Sequence, residues 1–186
     1  MKFTELAIKG VYLVEPVRFG DARGYFSEVF KKEAFEQNIG KVEFVQDNES
    51  YSSLGVLRGL HFQRGEFSQA KLVRVSRGRV IDVAVDIRKG SETFGQHVAV
   101  ELSAENGRQL FIPRHFAHGF VVLSDEAQFQ YKVDNVYAPQ SECTLRFDDP
   151  ALGIDWKLQK DQFNLSAKDL KGLSLDEVKK LVEAGE

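Results

Sequence analysis

The stretch VIDVAVDI, Val80 to Ile87, alternates strictly. Ile81, Val83, Val85 and Ile87 fall on one face and Asp82 and Asp86 on the other, which is the period of a half-buried β-strand. The two aspartates read as solvated or structural. Similar segments lie on both sides of it with little between them. Upstream, LAIKGVYLV (Leu6 to Val14) reads as one edge strand ending before Pro16, and Val42 to Ser52 reads as extended. Downstream, HVAVEL (His97 to Leu102) is followed by a hairpin signal at Glu105-Asn106-Gly107 before QLFIP, and Phe116 to Leu123 and Ala127 to Tyr137 add two more strands. Many short strands with turns between them imply an all-β antiparallel sandwich or small barrel, of which the jelly roll is the most economical form. Helices are short and peripheral. One spans Lys32 to Asn38, closed by Gly40; another follows the capping box of Ser174 and Glu177 and is expected to pack on the sheet over residues 174–184. With no linker, repeat or low-complexity segment, residues 1–186 are expected to form one domain.

Composition narrows the function. At 42% hydrophobic over 186 residues, the chain can bury a proper core. A net charge of −3 provides no global basic surface, so no nucleic acid partner is expected. The single cysteine, Cys143, rules out an intramolecular disulfide and fits a reducing compartment. MKFTELAIKG lacks the apolar run of a signal peptide, and no segment approaches the roughly 20 apolar residues of a membrane span. The expectation is a soluble cytoplasmic protein with no membrane partner.

Against this background, GVLRGLHFQRGEFSQAKLVRV (Gly55 to Val75) stands out. It places Arg58, His61, Gln63, Lys71 and Arg74 on what read as two short neighbouring strands, with Arg64-Gly65 opening the turn. That is more basic and hydrogen-bonding equipment than a core needs, and it suggests an anion site with chemistry beside it. Histidines on barrel strands raise the question of a metal, because such barrels hold iron, manganese or zinc with His and carboxylate ligands. Here a His-x-His pair followed by Glu is replaced by His61-Phe62-Gln63, and Lys71 would repel a cation; neither metal nor cofactor is expected. A base near neutral pH, a cation at a developing enolate oxygen and an acid to return the proton are what removal of a proton beside a ketone requires. His61, Lys71 and Tyr131 have those chemical types. Parity raises a difficulty: a regular strand would point Arg58 and His61 to opposite faces, so a shared site needs a bulge, at Gly59 for example, or a second subunit. In the extended stretch, Gln46, Asp47 and Asn48 are either exposed strand residues or ligand contacts.

Taken in order, DARG (Asp21 to Gly24), Gln46-Asp47-Asn48, GVLRGLHFQ (Gly55 to Gln63), AKLVR (Ala70 to Arg74), DVAVDIR (Asp82 to Arg88), SETFG (Ser91 to Gly95), FAHGF (Phe116 to Phe120) and LSAKD (Leu165 to Asp169) cover nearly the whole chain. The ordered set resembles the dTDP-4-dehydrorhamnose 3,5-epimerase family. The resemblance implies a metal-independent cupin jelly roll, a double-stranded β-helix. It also implies a homodimer without cofactor, acting on a dTDP-4-keto-6-deoxy sugar nucleotide in dTDP-L-rhamnose biosynthesis.

By the same resemblance, His61 is the base at C3 and C5, Asp169 pairs with it, Tyr131 is the acid on the opposite face, and Lys71 stabilises the enolate oxygen. Arg23, Arg58 and Lys168 match ligand contacts suited to diphosphate. Phe26, Glu28, Gln46, Asp47, Asn48, His118 and Glu142 fall at other ligand positions, and Tyr137 matches the residue that stacks on thymine. If their strand were unbroken, Tyr131 and Tyr137 would lie roughly 20 Å apart on one face. Phe62 stands where Tyr is common, and Pro113-Arg114-His115 where Pro-x-Gly is common, so His115 is expected where glycine could use a left-handed backbone. A single-centre epimerase of a related dTDP-4-keto sugar and a non-catalytic sugar-nucleotide-binding cupin are the alternatives. The second would need neither the His61 and Asp169 pair nor Tyr131.

Overall fold

The computed structural model describes residues 1–185. Its strands are β1 (Lys2–Glu5), β2 (Tyr12–Glu15), β3 (Phe19–Asp21), β4 (Gly24–Phe26), β5 (Gln46–Ser53), β6 (Leu57–Gln63), β7 (Lys71–Arg77), β8 (Arg79–Asp86), β9 (His97–Ser103), β10 (Gln109–Ile112), β11 (Phe116–Val122), β12 (Glu126–Val133) and β13 (Glu142–Thr144). The helices α1 (Lys32–Asn38) and α2 (Leu175–Ala184) flank them. One sheet runs β1-β2-β10-β7-β12-β5 and the facing sheet β13-β6-β11-β8-β9, while β3 and β4 form a separate hairpin. From β5 onward only the β8–β9 connection stays within one sheet, and every other connection crosses to the opposite layer. This is the cupin jelly roll, with antiparallel pairing throughout both sheets.

Between the sheets, Val73, Val75, Val80, Ala84, Leu102, Leu110, Ile112, Phe120 and Phe129 form a closed core. Phe120 and Phe129 stack with ring centres 4.1 Å apart. The outer face of the five-stranded sheet is also covered. Leu57, Leu60, Phe62, Ile81, Val83, Val85 and Ala117 pack there against Trp156, Leu152 and the fully buried Val178 of α2. The capping box of Ser174 and Glu177 opens α2, as its sequence indicates. On the outer face of the other sheet, α1 inserts Phe35 against Phe111 and Phe44.

Several readings of the sequence need correction. Leu6 to Val14 is not one strand: the chain turns back at Gly10, whose N–H donates to Glu5, and β1 pairs with β2 as a hairpin. Glu105-Asn106-Gly107 does not close a hairpin either, because β9 and β10 belong to different sheets and the turn is a corner between layers. β6 and β7, read as neighbours, likewise lie in opposite sheets. β12 ends at Val133, so Tyr137 lies in the following loop rather than on the strand of Tyr131. Of the two readings of Asp82 and Asp86, solvated or structural, the structural one holds: both are fully buried, since each face of β8 is covered. Among the described residues, no helix is long and apolar enough to cross a membrane.

Candidate active site

The parity conflict on β6 is resolved by a bulge. His61 pairs with His118 and Arg58 with Phe120, so two residues on β6, Gly59 and Leu60, oppose the single Gly119 of β11. The extra residue reverses the strand's alternation. Leu57 therefore shares the outer cluster with Leu60 and Phe62, while Arg58, His61 and Gln63 are left for the barrel side. Gly59 makes this possible, because a Cβ there would lie 2.5 Å from the Cα of Gly119. Its φ of +136° is also one that side chains resist.

The barrel side opens into a cavity of about 290 Å³, lined by Gln46, Asn48, His61, Gln63, Lys71, Tyr131, Tyr137 and Glu142 together with Phe62, Ser68, Gln69 and Phe116. β5, β7 and β12 deliver their share in register: Tyr131 lies opposite Asn48 on one side and Val73 on the other. Asp169 arrives from the C-terminal segment, with its Oδ1 2.6 Å from His61 Nε2. Ser166 donates to its other oxygen at 2.6 Å. Burial works against the Asp169 charge, but the bonds from His61 and Ser166 outweigh it and hold the carboxyl below its usual range.

Opposite this pair, Lys71 opens onto the cavity but is ringed by protein, and burial lowers its ammonium to about 8 against the pull of Asp82 and Glu142. Burial raises the Tyr131 phenol, while the nearby Arg58 guanidinium favours the phenolate. Arg58 is held by Ser52 Oγ at 3.1 Å. His118 is buried beside His61 and bonded at 2.9 Å to Asp82. Burial lowers its imidazolium, with Asp82 opposing. At the mouth, Glu142 accepts from Tyr137 Oη at 2.7 Å and pairs with Lys168.

Four of the expected ligand residues are elsewhere. Asp47 points to the outer face and pairs with Lys132 at 2.8 Å. Arg23 lies at the tip of the exposed β3–β4 hairpin, where it bonds its neighbour Asp21 at 2.6 Å; Phe26, at the base of the hairpin opposite Phe19, is 67% exposed, and Glu28 follows on the same exposed segment. Sequence reasoning missed Ser166, although its spacing of three before Asp169 is the signature of a hydroxyl that bonds a local backbone N–H. It also left Asp82 without its partner, since nothing local in the sequence ties it to His118. Among the described residues, no three of His, Cys, Asp and Glu converge as a metal site would require.

A cupin barrel that gathers a carboxylate-linked imidazole, a buried ammonium and a phenol around one cavity has the equipment for proton transfer at a carbon beside a carbonyl. The family model for dTDP-4-dehydrorhamnose 3,5-epimerase matches residues 5–177. The chain belongs to this family. It is 56% identical over 172 residues to the dTDP-4-dehydrorhamnose 3,5-epimerase of Salmonella typhimurium, covering 92% of this chain and 93% of that one. The structure of the dTDP-6-deoxy-D-glucose-3,5-epimerase of Legionella pneumophila in complex with dTDP-4-keto-L-rhamnose superposes with a TM-score of 0.93 at 47% identity, covering 97% and 96% of the two chains. A 3'-monoepimerase from Streptomyces bikiniensis in complex with dTDP-quinovose superposes with a TM-score of 0.88 at 34% identity, covering 96% and 90%.

Proposed function

We propose that this enzyme epimerises C3 and C5 of dTDP-4-dehydro-6-deoxy-D-glucose to give dTDP-4-dehydro-L-rhamnose. The observation that carries this reading is the 2.6 Å contact between His61 and Asp169 on the wall of a cavity that also holds Lys71 and Tyr131. With Nε2 tied to Asp169, Nδ1 is the nitrogen left to accept a proton from carbon. The C–H electron pair moves into an enolate whose oxygen is met by the Lys71 ammonium. Tyr131 then gives its proton to the other face of the same carbon and the centre inverts. Solvent reprotonates the phenolate and takes the proton from His61. The cycle runs once at each carbon.

The site is proposed to be shared in a homodimer. The hairpin bearing Arg23 and Phe26 is exposed, with Phe19 63%, Tyr25 61% and Phe26 67% accessible, although the resemblance makes its residues ligand contacts. A second copy's cavity mouth accommodates both facts. Light scattering should then give twice the 21.1 kDa chain mass. Mixing Arg23→Ala with His61→Ala should restore activity that neither variant shows alone.

The similarity to a monoepimerase keeps a single-centre reading in view. Incubating the chain with dTDP-4-dehydro-6-deoxy-D-glucose and assigning the product by NMR tests both. Inversion at C3 and C5 is expected, inversion at one carbon would favour the single-centre enzyme, and unchanged substrate would contradict both.

A further inference from the structure

Residues 134–138 carry Tyr137 from the end of β12 toward β13 without regular structure, and the ring is 55% exposed at the cavity mouth. Exposed loops of this kind move unless their backbone groups are tied down. Here Asn135 is held by Gln69 and by the carbonyl of Glu66, and the peptide groups flanking Tyr137 are tied by the buried side chain of Gln63. Its Nε2 donates to the carbonyl of Val136 at 3.1 Å and to that of Phe67 at 2.7 Å, and its Oε1 accepts from the N–H of Ala138 at 2.6 Å. One amide thus holds the peptide groups on both sides of Tyr137 with one donor and its acceptor, while its second donor is anchored on Phe67. Glu142, the cross-strand partner of Gln63, accepts from the Tyr137 hydroxyl. Three anchors from two paired residues therefore converge on one exposed ring.

We propose that Gln63 is a positioning residue for nucleobase recognition: by clamping residues 136 and 138 it holds the Tyr137 ring in place to stack on the base of the substrate. This rests on the reading of Tyr137 as the thymine platform. Base stacking on an aromatic ring contributes about 1–3 kcal/mol, or about fivefold to more than a hundredfold in affinity. A ring released into a mobile loop must be reordered at each binding event and loses much of that.

The test is calorimetric binding of dTDP and of inorganic pyrophosphate to wild type, Gln63→Met, Gln63→Glu, Tyr137→Ala and the Gln63→Met/Tyr137→Ala double variant. Gln63→Met keeps the volume without the bonds, and Gln63→Glu keeps the acceptor without the donors. Both are expected to weaken dTDP about fivefold or more; Gln63→Met, which adds no charge and is the variant on which pyrophosphate is read, is expected to leave pyrophosphate within about twofold and to raise KM while kcat changes little. In the double variant the loss should equal that of Tyr137→Ala alone, because the two residues act through one contact. Additive losses, or weakened pyrophosphate binding to match, would overturn the proposal by showing general disruption of the site. Wild-type dTDP affinity in Gln63→Met and Gln63→Glu, with Tyr137→Ala impaired, would overturn the clamp itself. Wild-type affinity in Tyr137→Ala would overturn the proposal at its premise.

Discussion

Oδ1 of Asp169 lies 2.6 Å from Nε2 of His61, a residue 108 positions earlier in the chain. Asp169 is 4% exposed, and its second oxygen is occupied by Ser166. The carboxylate is therefore fixed in one orientation and selects the imidazole tautomer whose other nitrogen is free to act as base. Asp169→Asn is expected to lower kcat by about 10²–10⁴-fold, the range for a general acid or base contribution, with little change in KM. Steady-state kinetics on a variant with wild-type melting behaviour checks this. Loss of binding at unchanged kcat would refute it.

Lys71 gives the rate a basic limb. Burial lowers its pKa to about 8, so the ammonium that is to meet the enolate is present below that pH and lost above it. The kcat/KM profile is expected to fall above about pH 8, reporting the free enzyme. Lys71→Met should lack that limb and be slower throughout. A basic limb of equal position in Lys71→Met would assign it to another group.

Asp86 is predicted to control acid stability. Its buried carboxylate takes bonds from Arg88 Nε at 2.9 Å, Thr93 Oγ1 at 2.6 Å and Ser91 Oγ at 2.7 Å. Burial would raise its pKa, but these bonds lower it to about 2. A depressed native pKa adds stability that is complete above the unfolded value near 4 and disappears as pH falls through the native one. The contribution at neutral pH is on the order of 2–3 kcal/mol. Denaturant melts of Asp86→Asn should show that loss at pH 7 and a shallower decline between about pH 4 and pH 2.

His115 has a φ of 64° and is exposed, in the loop where a left-handed glycine was expected. A side chain in that region costs roughly 1–2 kcal/mol, partly offset by the extra freedom glycine has when unfolded. His115→Gly is expected to raise stability by about 1 kcal/mol, or Tm by about 2–4 °C for a chain of this size. Calorimetry of the two proteins checks it.

Much of this was legible in the sequence because it is local. Period-two alternation marked β8, residues 32–38 marked α1, and Ser174 with Glu177 marked the start of α2. What escaped depends on distant partners. Whether Asp82 is solvated depends on His118 on the neighbouring strand and on the opposite sheet, which closes over the inner face of β8 where Val80 and Ala84 also lie. Whether Glu105-Asn106-Gly107 closes a hairpin or turns a corner is decided by which strand β10 finds, and it pairs with β2 and β7. In the site, chemistry marked His61, Lys71 and Tyr131, and the resemblance supplied Asp169. Alternation flagged the conflict at Gly59, but only the Gly119 contact shows how the bulge resolves it. The clamp of Gln63 on residues 136 and 138 joins segments more than 70 positions apart, and no local pattern announces it.

The most direct measurement of the central claim is deuterium incorporation, followed by NMR, from dTDP-4-dehydro-6-deoxy-D-glucose in deuterated water with wild type, His61→Ala and Tyr131→Phe. Wild type should yield inverted product with deuterium at C3 and C5. Tyr131→Phe should still exchange protons but return substrate of unchanged configuration, and His61→Ala should exchange neither carbon. Deuterium at both carbons with His61→Ala would contradict the assignment of His61 as the base.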